Sequence, residues 1–466
     1  MNCRIRLMTN GVLLIKMYRR FWVIIFLIFA FETANAQDAE RSSFSEVIAP
    51  LKSWLGQETA TGNWNGLRDK LEDQGVTISS NFTTDIGGNP VGGLKKNTIY
   101  SGFLDVGVAL DFEKIASLKG VALTVTNYLA SGSDLSSGIG NFFGAQEIYA
   151  PGTYFFGEMD LSLSLLDDTL TLETGRLFAG DVFATSNLWQ YYVNGGINDN
   201  LNSMPANIFF PSFNIAAWAV RTSYQPNKDW HLTAAIYNAD TQVEKMEKYG
   251  ADFSFDMDNG YLAIGQLVYK HNQSRDDKGL PGSTTFGSYY QSSRFQDLAD
   301  STRRWHGNYG FYLICDQMIY RGDWPEFKGR PYMRSDATYA ERVKKPYHRR
   351  DAMAADRPKG LSVWAAGYFA PNDHINTQMY QITSGLVYQG LPPNRDRDVT
   401  AFCIILGKFS DKLDGQKIET VLELNHRFQV GQWFYITPDI QYVIRPNGRS
   451  DIDDALVLGL EISTNF

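Results

Sequence analysis

The chain has 466 residues, 14% of them aromatic (25 Tyr and 29 Phe), with 41 Gly and a formal net charge of −8. The acidic balance excludes nucleic acid as the partner, because phosphate contact needs a basic face. The length admits two or three soluble domains or one large closed sheet, and the aromatic and glycine content favours strands joined by turns.

The amino terminus, "KMYRRFWVIIFLIFAFETANAQ", sets Lys16, Arg19 and Arg20 before an apolar run from Phe21 to Phe31, then Ala34-Asn35-Ala36. A basic flank, a short greasy core and a small-residue cleavage site predict a secretory signal peptide over residues 1–36, cut before Gln37. The run is shorter than the roughly 20 residues of a spanning helix. No later stretch resembles one, so the mature protein is either soluble outside the cytoplasm or a membrane barrel. Cys3 leaves with the signal; Cys315 and Cys403 lie in strand-like runs and are expected as two separate buried thiols.

Residues 37–75 form a pre-barrel segment in which "GNWNGLRDKLEDQGV" predicts a short amphipathic helix. Leu67 and Leu71 lie one turn apart, Asn63 or Asn65 can cap the start, and Gly75 can supply the left-handed end. From Val76 the period changes to two. Val76, Ile78, Phe82 and Ile86 oppose Thr77, Ser79, Asn81, Thr83 and Asp85; Leu104, Val106, Val108 and Leu110 oppose Ser101 and Asp105. "FGEMDLSLSLLDDTLTLETGR" reads as a hairpin about Asp167-Asp168 with Glu158 and Asp160 on its polar face.

The pattern is cleanest near the carboxyl end. Leu422, Leu424, Phe428 and Val430 oppose Glu423, Asn425, Arg427 and Gln429; Phe434, Ile436, Ile440, Tyr442 and Ile444 oppose Tyr435, Thr437, Asp439, Gln441 and Arg445. The last strand alternates Leu456, Leu458, Leu460, Ile462, Thr464 and Phe466 with Val457, Gly459, Glu461, Ser463 and Asn465. Many strands approach the roughly 9 to 11 residues of a membrane-spanning strand. The turns count about sixteen, an even number as outer-membrane barrels require. The predicted fold is therefore all-β: an antiparallel outer-membrane barrel over residues 76–466 behind a short amphipathic helix. Such a sheet must close, so its first strand must meet its last.

The ordered succession of "GNWNGLRDKLEDQGV", "TLETGRLFAGDVFATS", "GFYLICDQMIYR", "GLSVWAAGYFAPND", "SGLVYQGLPPNRDRDV", "LELNHRFQV" and "ITPDIQYVIRPNG" through "DALVLGLEISTNF" resembles the carbohydrate-selective porins of the OprB family. The resemblance covers nearly the whole mature chain. It implies a barrel of about sixteen strands in the bacterial outer membrane, admitting glucose-type sugars by diffusion, and a terminal aromatic, Phe466, recognised by the barrel-insertion machinery. One departure is the basic segment 328–359, which the strand walk places on the periplasmic side, where turns should be short.

A sugar-selective wall replaces water with polar side chains and covers C–H faces with aromatic rings, while charged groups give the stronger hydrogen bonds. By parity the lumen candidates are Asp105, Glu158, Asp160, Glu423, Asn425, Arg427, Asp439, Gln441, Arg445 and Glu461; family-like motifs add Arg176, Arg221 and Asp316. Arg427 and Arg445 stand out because guanidinium offers several fixed donors. Trp189, Trp218 and Trp364 fit either stacking surfaces or an interfacial girdle.

Three other readings stay open on the residues alone: a general or anion-preferring porin, an outer-membrane barrel hydrolase, and a soluble secreted lectin-like sandwich. Against the second, none of the six His sits in a GxSxG or HExxH motif. No cofactor or metal is implied. The expected partners are mono- or oligosaccharides, outer-membrane lipid and the assembly machinery, with no nucleic acid; a monomer or a trimer fits equally.

Overall fold

The computed structural model describes residues 49–148, 153–212, 215–240, 249–274, 276–323 and 358–466. Residues 49–54, which are helical, are the described part of a first unit; Leu55–Phe466 form the second. No described helix is long and apolar enough to cross a membrane.

The helix α1, Leu67–Asp73, forms where the leucine spacing places it. Gly66 occupies the cap position, and Asn63 reaches past it to accept the Asp69 N–H at 3.2 Å. Gly75 takes φ +86°, the left-handed conformation that ends a helix without a Cβ penalty.

Sixteen antiparallel strands follow: β1 (Val76–Val91), β2 (Thr98–Asp111), β3 (Val121–Gly132), β4 (Thr153–Leu165), β5 (Leu170–Leu177), β6 (Ala217–Tyr224), β7 (Trp230–Asn238), β8 (Tyr261–His271), β9 (Gly282–Gln296), β10 (Arg304–Arg321), β11 (Gly360–Phe369), β12 (Gln378–Gln389), β13 (Val399–Phe409), β14 (Ile418–Gln429), β15 (Phe434–Ile444) and β16 (Ala455–Asn465). Each pairs with its neighbours in sequence, and β1 closes on β16 through pairs from Asn81↔Asn465 to Val91↔Leu456. The apolar end of the chain is thus held on both sides, and Phe466 donates its N–H to Ser80 O at 2.9 Å.

Inward and outward parity follow the alternation. On β14, Val421, Glu423, Asn425 and Arg427 are buried inside, while Leu424 is 48% exposed on the outer wall. On the outer wall of β10 stands Cys315, exposed rather than buried as expected, because inward parity there falls on Tyr312 and Ile314; Cys403 is buried, and both thiols are free. The β4–β5 turn is the acidic hairpin, with Leu166, Asp167 and Asp168 all at positive φ.

At the rim where β1 begins and β16 ends, most connections are short, as on the periplasmic side of outer-membrane barrels. The long connection between β10 and β11 also leaves from this rim, and residues 324–357 within it lie outside the described residues. The longer loops leave from the opposite rim, and two of them turn inward.

Candidate functional site

The β5–β6 loop, residues 178–216, has the composition of a core rather than of a surface loop: Phe183, Leu188, Trp189, Tyr191, Tyr192, Ile197, Leu201 and Met204 are all buried. They share one cluster with inward residues of the wall, among them Tyr237, Tyr312, Trp364, Cys403 and Val443. The loop therefore lies across the lumen. A loop placed there carries backbone N–H and C=O groups that no ladder satisfies, so the wall must meet them with side chains.

The carboxylate of Glu423 accepts the N–H groups of Val193 and Asn194 at 2.8 and 3.1 Å. Two residues along β14, Asn425 donates to Tyr191 O at 3.0 Å; two further, Arg427 donates to Gln190 O at 2.8 Å. The Arg427 guanidinium stacks 4.0 Å from the Tyr435 ring and 5.2 Å from that of Tyr191, with Glu461 at 3.5 Å. Gln441 on β15 accepts from the Asn194 amide at 2.8 Å and donates to both Ala145 O and Asp439 at 2.8 Å.

Further round the wall, on β12, β9 and β10, Gln381 donates to Gly196 O and accepts from Ser203 N–H, Gln291 accepts the Phe209 N–H at 2.8 Å, and Asn308 donates to Asn207 O. Tyr192 hangs from three groups: its hydroxyl receives the Trp364 indole N–H at 2.9 Å and lies 3.0 Å from both Leu386 O and Phe402 O. Where the loop leaves β5, Glu158 accepts the Phe178 N–H at 2.7 Å, and Arg221 donates to Phe178 O. Arg221 also makes a two-pronged pair with Glu173 at 2.7 and 2.9 Å, the geometry that suits guanidinium and carboxylate.

The β3–β4 loop joins in. The N–H groups of Phe142 and Phe143 donate to Glu419 at 2.7 and 2.8 Å, and Gly195 N–H donates to Gly144 O at 2.8 Å, so the two loops are tied together.

Most lumen candidates face inward: Asp105, Glu158, Asp160, Arg221, Asp316, Glu423, Asn425, Arg427, Asp439, Gln441 and Glu461. Asp105 accepts the Asn81 N–H at 3.2 Å, and Asp316 accepts from Ser186 of the loop at 2.8 Å and from Ser283. A register shift interrupts β10 between Met318 and Tyr320, just beyond Asp316. Asp160 stands opposite Gly175 and is half-buried.

Two arginines are placed otherwise. Arg176 pairs across the ladder with Met159 and Trp218, so it shares their outward face. Arg445 lies past the end of β15 at φ +53°, exposed, where strand parity no longer applies. Trp189 and Trp364 meet edge to face in the interior at 5.5 Å, whereas Trp218 is outward.

Sequence reasoning missed the loop itself and its glutamine and asparagine anchors, Gln266, Gln291, Asn308 and Gln381. Their signal was present: amides recurring at inward parity in otherwise apolar strands, opposite a buried loop rich in Asn.

A closed sixteen-stranded barrel whose lumen is narrowed by an inward-folded loop defines an outer-membrane porin, a channel rather than an enzyme. The OprB carbohydrate-selective porin family model matches residues 95–466, and the chain belongs to that family. It is 23% identical over 442 residues to the putative porin QuiX of Acinetobacter baylyi, covering 89% of this chain and 93% of that one. It is 22% identical over 451 residues to Porin B of Pseudomonas aeruginosa, covering 91% and 93%. The high-pH structure of Pseudomonas putida OprB shares its fold, with a TM-score of 0.75 at 20% identity, covering 88% of this chain and 99% of that one.

Proposed function

We propose that the channel passes glucose-type carbohydrates into the periplasm by passive diffusion along the inward-folded loop. The observation that carries this reading is the pinning of that loop by wall side chains, which leaves a narrowed path beside fixed donors and acceptors. Such groups replace the water a neutral polyhydroxylated solute gives up.

Glu158, Asp160, Asp181, Asp316 and Gln190 keep part of their surface exposed, and Asn187 is exposed. These are the best-placed side chains to meet solute, because Arg427, Glu423 and Gln441 are held by the loop and buried, whereas Glu158 and Asp316 keep exposed surface although each also accepts from the loop. Four carboxylates and no guanidinium in that set count against an anion-preferring channel. Charge-assisted bonds from the carboxylates to sugar hydroxyls supply affinity, while partial hydration keeps it weak enough for release.

The same reading takes residues 1–36 as an export signal, 37–75 as the periplasmic segment, and Phe466 as the mark read by the barrel-insertion machinery. A barrel closed on itself can work as a monomer, and a trimer fits the same reading.

Conductance of the refolded mature protein in planar bilayers, titrated with glucose, maltose and a non-sugar polyol of similar size, tests the proposal. Saturable block by a sugar at concentrations where the polyol does nothing supports it. Conductance indifferent to all three leaves a general porin.

A further inference from the structure

The segment Asp252–Asp258, "DFSFDMD", in the loop between β7 and β8 alternates with period two outside any strand of the barrel. Phe253, Phe255 and Met257 form one row, 45%, 68% and 43% exposed; Asp252, Ser254, Asp256 and Asp258 form the other. Neither row faces the lumen. Phe253 packs on the outer wall, 5.2 Å from the ring of Phe156 and 6.5 Å from that of Trp218, and 5.3 Å from the Arg176 guanidinium. All three partners point outward, since their neighbours Phe155, Leu177 and Ala217 are buried in the interior.

The loop is fixed there through its backbone as well. Phe156 N–H donates to Tyr249 O at 2.8 Å, and Arg176 donates to Gly250 O and to Ala216 O.

The wall below is the lowest part of the barrel. β5, β6 and β7 have 8, 8 and 9 residues, against 16, 14 and 12 for β1, β2 and β3. Strands that cross a bilayer need roughly 9 to 11 residues, so the outward apolar band runs short on this side. The exposed row continues it upward from Val220, which is 58% exposed on β6, through Trp218.

We propose that Phe253, Phe255 and Met257 dock into the acyl chains of the outer leaflet, with the aspartate row held at headgroup level. The loop is then a membrane-seated clamp, and Arg176 fastens it to the wall. Burying such side chains in hydrocarbon is favourable, while a carboxylate must keep its water.

Spin labels on the full-length mature protein in phospholipid vesicles test this. Cys315 is replaced by Ser, the buried Cys403 is kept, and F255C, M257C, D258C and the lipid-facing reference V220C are labelled singly. Collision rates with oxygen, which partitions into lipid, and with a water-soluble nickel chelate are compared. Labels at 255 and 257 are expected to give an oxygen-to-nickel ratio several-fold above that at 258 and close to that at 220. A ratio at both positions equal to that at 258 overturns the proposal, as does protection from both reagents with spin–spin broadening, which would mark a second copy of the chain as the occupant.

Discussion

Glu423, on β14, takes the N–H groups of Val193 and Asn194 on its two carboxylate oxygens, at 2.8 and 3.1 Å. One buried side chain thereby satisfies two consecutive backbone donors of a loop that has left its own strands 16 residues earlier in the chain, counted from Leu177 to Val193. The wall of this porin is built to hold a loop, and the loop shapes the path.

Tyr192 anchors the loop to β11, β12 and β13, the strands next to β14. Tyr192→Phe deletes the hydroxyl that receives the Trp364 N–H and leaves that buried donor without its partner. The cost of such a loss is about 1–3 kcal/mol. The temperature at which the barrel loses its heat-resistant gel mobility should fall, and single-channel current should become noisier as the loop loosens.

Arg427 separates charge from shape. Arg427→Lys keeps the cation beside Glu461 but gives up the planar stack on Tyr435, at 4.0 Å. A cation–π contact removed from water is worth about 2 kcal/mol, and Arg427→Ala also strips Glu461 of a buried partner, a loss of about 3–5 kcal/mol. Denaturant unfolding should therefore rank the wild type above Lys and Lys above Ala.

Arg176→Ala should leave conductance and sugar block unchanged, because the side chain is on the outer wall. Its effect belongs to the β7–β8 loop, where protease cleavage in intact vesicles should become faster. A changed sugar block with an unchanged cleavage rate would contradict the outward placement.

Asp297 links two loops at the outer rim. The Trp305 indole N–H donates to it at 2.8 Å, the N–H groups of Ala299 and Asp300 at 2.9 and 3.0 Å, and His374 Nδ1 lies 3.0 Å away. These bonds, that of Trp305 foremost, hold its carboxyl well below the usual carboxylate range. A depressed folded-state value contributes stability above the unfolded value of about 3.9 and loses it as pH falls through the folded one. The protection of the amides of residues 298–303, taken as exchange relative to the intrinsic rate at each pH, should fall progressively below about pH 5; in Asp297→Asn it should stay constant across the same window.

Strand existence, closure and most of the parity were legible because period two is written in most of the long strands, though not around Asp316 in β10, and closure follows from the bilayer's intolerance of an open edge. The inward positions of Glu423, Asn425, Arg427 and Gln441 could be read for the same reason. Their partners could not, because a loop that folds inward has no period and its aromatic residues look like any buried run. Parity also stops where a strand stops, as at Arg445, and a motif carries no facing of its own, as at Arg176, whose ladder partner Met159 was already on the apolar face.

The most direct test is the single-channel conductance and glucose block of Glu423→Ala beside the wild type. If the loop is held by this carboxylate and narrows the pore, the variant should conduct several-fold more and lose saturable block by glucose while still migrating as a folded barrel. Equal conductance with equal block in both proteins would show that the pinned loop does not set the path.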